Sequence, residues 1–280
     1  MKKYRKSLVV VLITLVSISF VGCSTIDSIQ KKLGFKNEYF EKFQAQNIDG
    51  ISIQSVRDPG FKFIVTEPNA IEDMYKLLQS AKDSKNKTDL SPDYIFEFNM
   101  GDEVEKFNYI VGAHEGNFYN DTNSFTVSSR LDEGIMKNLS FIRKPRDFED
   151  VYYNSILSVL ELKKEEFNAT PHKVGIDIQG DVDCLKYVFS TDIEEFLKKA
   201  RKIVPNLEMV NNNASEFDAV LTVKNKGYDS TTYRTKISVD DKKDKIQEDY
   251  YIKAINEFKE WNIITSEPNI KNPSEWYEEE

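Results

Sequence analysis

Cysteine and histidine are nearly missing, with two of each among 280 residues. With one of the two cysteines near the N-terminus and the other far along the chain, no disulfide framework is expected. Positive charge is in deficit as well: 38 Lys and Arg against 47 Asp and Glu leave a formal net charge of −9. Such a chain lacks the clustered cations that neutralise phosphates, which argues against nucleic acid as a partner. Long apolar runs are absent. The longest, Leu8 to Phe20, falls well short of the ~20 residues a spanning helix needs. No Gly-x-Gly-x-x-Gly or Walker-type loop occurs to cradle a nucleotide, and no Gly-x-Ser-x-Gly elbow to present a nucleophile. His114-Glu115 opens like a zinc-protease motif, but Phe118 stands where the second His belongs. Ser28-Ile29-Gln30-Lys31 fits Ser-x-x-Lys without the Ser-Asp-Asn and Lys-Thr-Gly elements that accompany it. Asp177, Asp181 and Asp183 crowd around Gly180, yet a calcium loop counted from Asp177 would need Glu where Val188 stands. An acidic turn is the simpler reading. No cofactor and no metal site is expected.

What is present starts at the N-terminus. Lys2, Lys3, Arg5 and Lys6 precede the apolar run, and Val21-Gly22 lead to Cys23. A basic start, a short apolar core and small residues before a cut site make a secretory signal. Its end, Phe20-Val21-Gly22-Cys23, resembles a lipobox, with Phe20 departing from the usual Leu. That resemblance implies a bacterial lipoprotein in which Cys23 carries palmitate-type acyl chains and becomes the mature N-terminus. Each buried CH₂ contributes about 0.8 kcal/mol, so two or more chains anchor stably. The expected location is the outer face of the cell membrane. Residues 1–22 are then the signal and 23–35 a tether. Losing four cations takes the formal charge from −9 to −13, so the lipid and not the protein surface must hold the membrane. Cys184 is left alone, which we read as a small buried hydrophobe. Neither His114 nor His172 is tied to it by sequence.

The chain also echoes itself. Gly50-Ile51-Ser52-Ile53-Gln54 recurs as Gly175-Ile176-Asp177-Ile178-Gln179, and Phe61 to Thr66 as Leu185 to Ser190. Ile71 to Lys76 faces Ile193 to Lys198, and Asp93 to Phe98 faces Asp218 to Val223. Four echoes in one order suggest a duplicated unit; the alternative is two unrelated segments with generic patterning. Each unit reads as strand, strand, helix, hairpin and closing helix. Ile51 and Ile53, and then Phe61, Phe63 and Val65, alternate as in half-buried strands. Asn69 with Glu72, and Thr191 with Glu194, have capping spacing ahead of the stripes Ile71-Met74-Tyr75-Leu78 and Ile193-Phe196-Leu197-Ala200. Hairpins are expected around Gly101-Asp102, Asn120 to Asn123 and Gly227. Closing helices are expected at Leu131, Ile135, Met136 and Leu139, and over Ile246 to Trp261 with Tyr250, Ile252, Ile255 and Phe258 inside.

The expected fold class is α+β: two tandem, duplicated two-layer sandwiches, each an antiparallel sheet with helices on one face. The first spans 36–145. The second spans 146–265 behind a linker helix from Phe148 to Phe167, and 266–280 is an acidic tail. The Asp93-Tyr94 strand and the Asn-rich turn before Ser124-Phe125-Thr126-Val127-Ser128 resemble small domains of uncharacterised Gram-positive lipoproteins of the YhfM type, over about residues 48 to 140. That resemblance implies a fold and an address, and it carries over no functional residue.

The function expected on these grounds is a non-enzymatic interaction module of the cell envelope, anchored by Cys23, with an envelope protein or polysaccharide as partner. Tyr119, Tyr228 or Trp276 would supply an exposed aromatic patch. The alternatives are a solute-binding lipoprotein and a carboxylate-dependent envelope hydrolase, either of which needs a cleft with convergent polar groups.

Overall fold

The computed structural model describes residues 36–86, 88–133, 144–169 and 171–270. They form an α+β fold with two separate sheets. Cys23, the tether, Ile135, Met136, Leu139 and Trp276 lie outside the described residues. None of the described helices is long and apolar enough to cross a membrane.

The first sheet has seven strands, in the order β2-β1-β4-β5-β6-β7-β3. In chain order they are β1 (Gly50–Ser55), β2 (Lys62–Val65), β3 (Lys82–Asp83), β4 (Tyr94–Met100), β5 (Glu103–Tyr109), β6 (Phe118–Tyr119) and β7 (Ser124–Thr126). Every pairing in it is antiparallel. Alternation explains its face: Tyr94, Phe96 and Phe98 on β4 and Phe107 and Tyr109 on β5 are all buried. Helix α1 (Pro68–Gln79) buries Ile71 and Leu78. Its N-cap is Glu67, which accepts the Ala70 N–H at 2.8 Å. Asn69 is no cap, because its amide donates to that same carboxylate. A 3₁₀ segment, Glu38–Phe43, plugs Phe40 and Phe43 into the aromatic face.

Helices α2 (Phe148–Leu162) and α3 (Lys164–Ala169) replace the single linker helix expected from Phe148 to Phe167. They divide at Lys163, a buried ammonium paired with Glu166 and with Glu248 at 2.8 Å. Helix α2 packs against three strands of the second sheet.

That sheet has six strands, in the order β13-β12-β11-β10-β8-β9. They are β8 (Val174–Asp177), β9 (Leu207–Met209), β10 (Ala219–Tyr228), β11 (Thr232–Asp241), β12 (Ile246–Glu257) and β13 (Glu260–Thr265). Helices α4 (Val182–Leu185) and α5 (Ser190–Ala200) stand between β8 and β9.

Three expectations need correcting here. Leu185 to Ser190 is not a strand: it runs from the last residue of α4 to the first residue of α5. The buried Asp181 carboxylate takes the Asn225 N–H and the Tyr152 hydroxyl, while its carbonyl takes the Cys184 N–H, so the chain coils at once. Ile246 to Trp261 is not a helix but β12 and the start of β13. Its buried positions, Tyr250, Ile252, Ala254 and Asn256, run at period two. Thr191 does not cap α5; its hydroxyl reaches Val111 O in the other half of the chain at 3.1 Å.

Strand order does not carry the duplication either. β1 pairs antiparallel with β2 and β4, whereas the echoing β8 pairs parallel with β9 and β10. The echoed glycines differ as well. A Cβ on Gly175 would lie 2.6 Å from Val210 Cγ2 and 2.9 Å from the Phe217 ring, while one on Gly50 would meet nothing closer than 3.5 Å. The two sheets nonetheless share one contiguous apolar core, running from Phe40 to Ala254.

Candidate functional site

The β12–β13 hairpin closes on a two-residue loop, since Glu257 pairs with Glu260. Phe258 and Lys259 sit there at φ 54° and 70°. Two-residue hairpin loops want left-handed residues that follow the strand twist, and Asn-Gly is the usual choice. Here a phenylalanine occupies the first position and is 98% exposed. A bulky side chain in that region costs about 1 kcal/mol or more, and this one recovers nothing by burial. Beyond it, β13 is the outer strand of its sheet. Trp261 and Ile263 turn inward against the core, and the Trp261 indole donates to Arg146 O at 3.0 Å. Ile264 faces outward and is largely exposed. An aromatic tip thus continues into an outer strand whose far side pairs with no described strand. This is the arrangement that strand addition by another chain uses.

The aromatics that sequence singled out do not play this part. Tyr119 and Tyr228 are half-buried, Tyr228 against Tyr187 and with its hydroxyl toward Asp183 O. A helical reading of Ile246 to Trp261 puts Phe258 on the buried face. A period-two reading of Tyr250, Ile252 and Ala254, with a turn where it breaks, would have exposed it.

A second assembly joins the two sheets. Asp93, at the start of β4, has a side chain only 1% exposed. Its Oδ1 accepts from Arg57 and from the Ser190 N–H at the head of α5, and its Oδ2 from the Val111 N–H, both N–H contacts at 2.9 Å. Arg57 also donates to Ser190 Oγ, which donates in turn to Ser91 O. A carboxylate of one sheet therefore meets the positive end of a helix that packs with the other. Burial raises the Asp93 pKa above the ordinary carboxylate value, against the pull of Arg57.

Carboxylates also gather in a depression between α2 and α5, lined by Glu149, Tyr153, Asp192, Glu195, Phe196 and Lys199. Burial, then Glu149, Asp93 and Glu195, push Asp192 up to about 6. This is the perturbed acid a hydrolase would want. The cavity, however, is only about 50 Å³, far below the ~300 Å³ at which sites for a sugar or solute begin. Because the folded pKa lies above the unfolded one, ionising Asp192 opposes folding. The cost is present in full above pH 6 and disappears as pH falls toward 4. Asp192→Asn should therefore raise stability at pH 7 by about 1–2 kcal/mol and flatten the profile between pH 4 and 6. Urea melts across that range are the measurement.

Cys184 is buried beside Asp181, and burial pushes its thiol well above its usual value, the opposite of a nucleophile's environment. His114 is exposed in a loop and His172 is buried elsewhere, beside Asp241. Asp177, Asp181 and Asp183 do not converge: Asp177 accepts the Gln179 N–H and Asp181 faces Tyr152 and Asn225. One group among the described residues has metal-ligating types at close spacing: His172, Asp241 and Asp244.

No curated protein matches this chain, and no solved structure does. A family model described as YhfM protein matches residues 44–145, which covers the first sheet from β1 through β7 and ends before α2. Over those residues the chain resembles proteins of the YhfM family.

Proposed function

We propose that this chain is an extracytoplasmic lipoprotein, held on the outer face of the membrane through Cys23, that acts as a non-enzymatic interaction module of the cell envelope. The address rests on the signal and lipobox resemblance. The binding role rests on one observation, the strained and exposed Phe258 at the head of the outer strand β13. An open strand edge offers main-chain hydrogen bonds, which favours a protein partner over a polysaccharide.

Two measurements test it. Cys23→Ala should move the protein from the membrane fraction to the medium; retention in the membrane would overturn the anchor. Phe258→Asn with Lys259→Gly should stabilise the fold by about 1–2 kcal/mol by relieving the turn. The same double variant should lose the partner captured by a photo-crosslinker at Ile264 on intact cells. Capture that is undiminished would overturn the binding role. The alternative of a solute or glycan site finds less support, because the two ligand-sized depressions among the described residues, about 730 Å³ beside Asn37 and Ser84 and about 420 Å³ beside Lys173 and Arg201, are lined by exposed and half-buried polar groups.

A further inference from the structure

His172 follows α3, Asp241 ends β11, and Asp244 lies in the turn to β12. Their side chains meet at the bottom of the second sheet. His172 Nε2 lies 3.2 Å from Asp241 Oδ2 and 3.4 Å from Asp244 Oδ2. The His172 and Asp241 side chains are 0% and 1% exposed, and Asp244 is 44% exposed.

We propose that these three residues bind a divalent transition-metal ion, zinc foremost. Ligand atoms at about 2.0–2.2 Å in a tetrahedral site stand about 3.3–3.5 Å from one another, and both distances above match that edge within about 0.1 Å. Oδ1 of Asp241 accepts the Lys243 and Asp244 N–H groups at 3.0 and 2.9 Å. Those two bonds fix the carboxylate and build the turn that carries Asp244. Oδ2 of Asp241, by contrast, is buried and accepts no hydrogen bond. A buried carboxylate oxygen without a donor, beside a second carboxylate, is costly unless a cation sits against it. One imidazole and two carboxylates suit zinc and its first-row neighbours, whereas calcium and magnesium take oxygen ligands throughout. The partial exposure of Asp244 supplies an entry path and leaves room for water at the fourth position. The backbone on the His172 side is held too, by the His172 N–H to Phe167 O at 3.3 Å and by Lys243 Nζ to Pro171 O at 2.9 Å. A bound ion would clip the exit of α3 to the β11–β12 turn.

The experiment is calorimetric titration of the full chain in detergent, stripped with a chelator, with zinc chloride and then with calcium chloride. One zinc per chain is expected, and calcium should not displace it. Asp244→Ala lies at the surface and should keep the native circular dichroism spectrum. It should weaken zinc binding by at least about tenfold, the loss that even outer partners of a metal site produce. A stripped wild-type chain that takes up no zinc would mean that the imidazole and the carboxylates form an ion pair only, and would overturn the proposal. Zinc binding unchanged by Asp244→Ala would place the ion elsewhere and overturn it equally. Displacement by calcium would refute the assigned metal class.

Discussion

Asp93→Ala should cost about 3–5 kcal/mol, the loss seen when one partner of a buried ion pair is removed. Three donors converge on its carboxylate: the Arg57 guanidinium, the Val111 N–H and the Ser190 N–H. Alanine would leave all three without an acceptor, with the Arg57 charge still largely enclosed at 17% exposure. Asp93→Asn keeps one acceptor oxygen, loses the charge and turns an NH₂ toward at least one donor, so it should fall between wild type and alanine. The placement of Asp93 adds a second reading. Because it ties the first sheet to the head of α5, the alanine variant should also weaken the cooperativity between the halves. Urea unfolding followed by Trp261 fluorescence and by far-ultraviolet dichroism would detect this as two transitions that cease to coincide. A loss below about 1 kcal/mol, with coincident transitions, would mean that solvent reaches the cluster and that the shared apolar core alone couples the sheets.

Phe107→Ala should be comparably severe, at about 3–5 kcal/mol. Phe107 is 1% exposed and sits at the middle of the aromatic face. Its ring stacks on Phe118 with centroids 4.6 Å apart and an interplanar angle of 15°, and it meets Phe43 and Phe98 edge-on at 5.8 Å each. Rings so arranged contribute beyond their buried area, and these neighbours come from two strands and the 3₁₀ segment, so none can collapse into the gap alone. Phe258→Ala is the internal control. The same chemical change at a 98% exposed site should alter stability by less than about 0.5 kcal/mol in either direction. Equal effects at the two positions would contradict the burial assigned to both. Against a total stability of about 5–15 kcal/mol, the Phe107 variant would leave the first sheet marginal.

The first sheet was largely legible because its aromatics alternate. Tyr94, Phe96 and Phe98 against Phe107 and Tyr109 fit no helix, and Gly101-Asp102 marks the turn between them. The second sheet was less so. Tyr250, Ile252, Ile255 and Phe258 satisfy a helical stripe as readily as Tyr250, Ile252 and Ala254 satisfy a strand. What decides is β11, which offers twelve-residue-long β12 a partner at every position from Asp241 to Thr232, and a single segment cannot reveal its partner. The caps failed for a related reason. Glu67 and Asn69 are both plausible caps for α1, and the Pro68 ring fixes the helix start two residues earlier than the Asn69 reading requires. Ser190 and Thr191 spend their hydroxyls on Ser91 and Val111, 99 and 80 residues back along the chain, which no local window contains. The His172 cluster has no sequence signature, because the chain from β8 through β11 separates His172 from the two aspartates. Phe258 was hidden only by the wrong period.

The placement of β8 bears on how the chain assembles. β10 to β13 form a meander in which each strand pairs with its successor in sequence, so each loop to be closed is short. β8 must instead wait for Leu207 on one side and Ala219 on the other, both in parallel register. The entropy of closing those longer loops falls due before any contact repays it. A chain emerging N-terminus first would therefore complete its first sheet early, while Val174 to Asp177 stayed an open apolar edge until β9 and β10 arrived. A truncation before Ala219 would strand β8 without one or both of its neighbours, whereas one after Tyr228 would leave both in place.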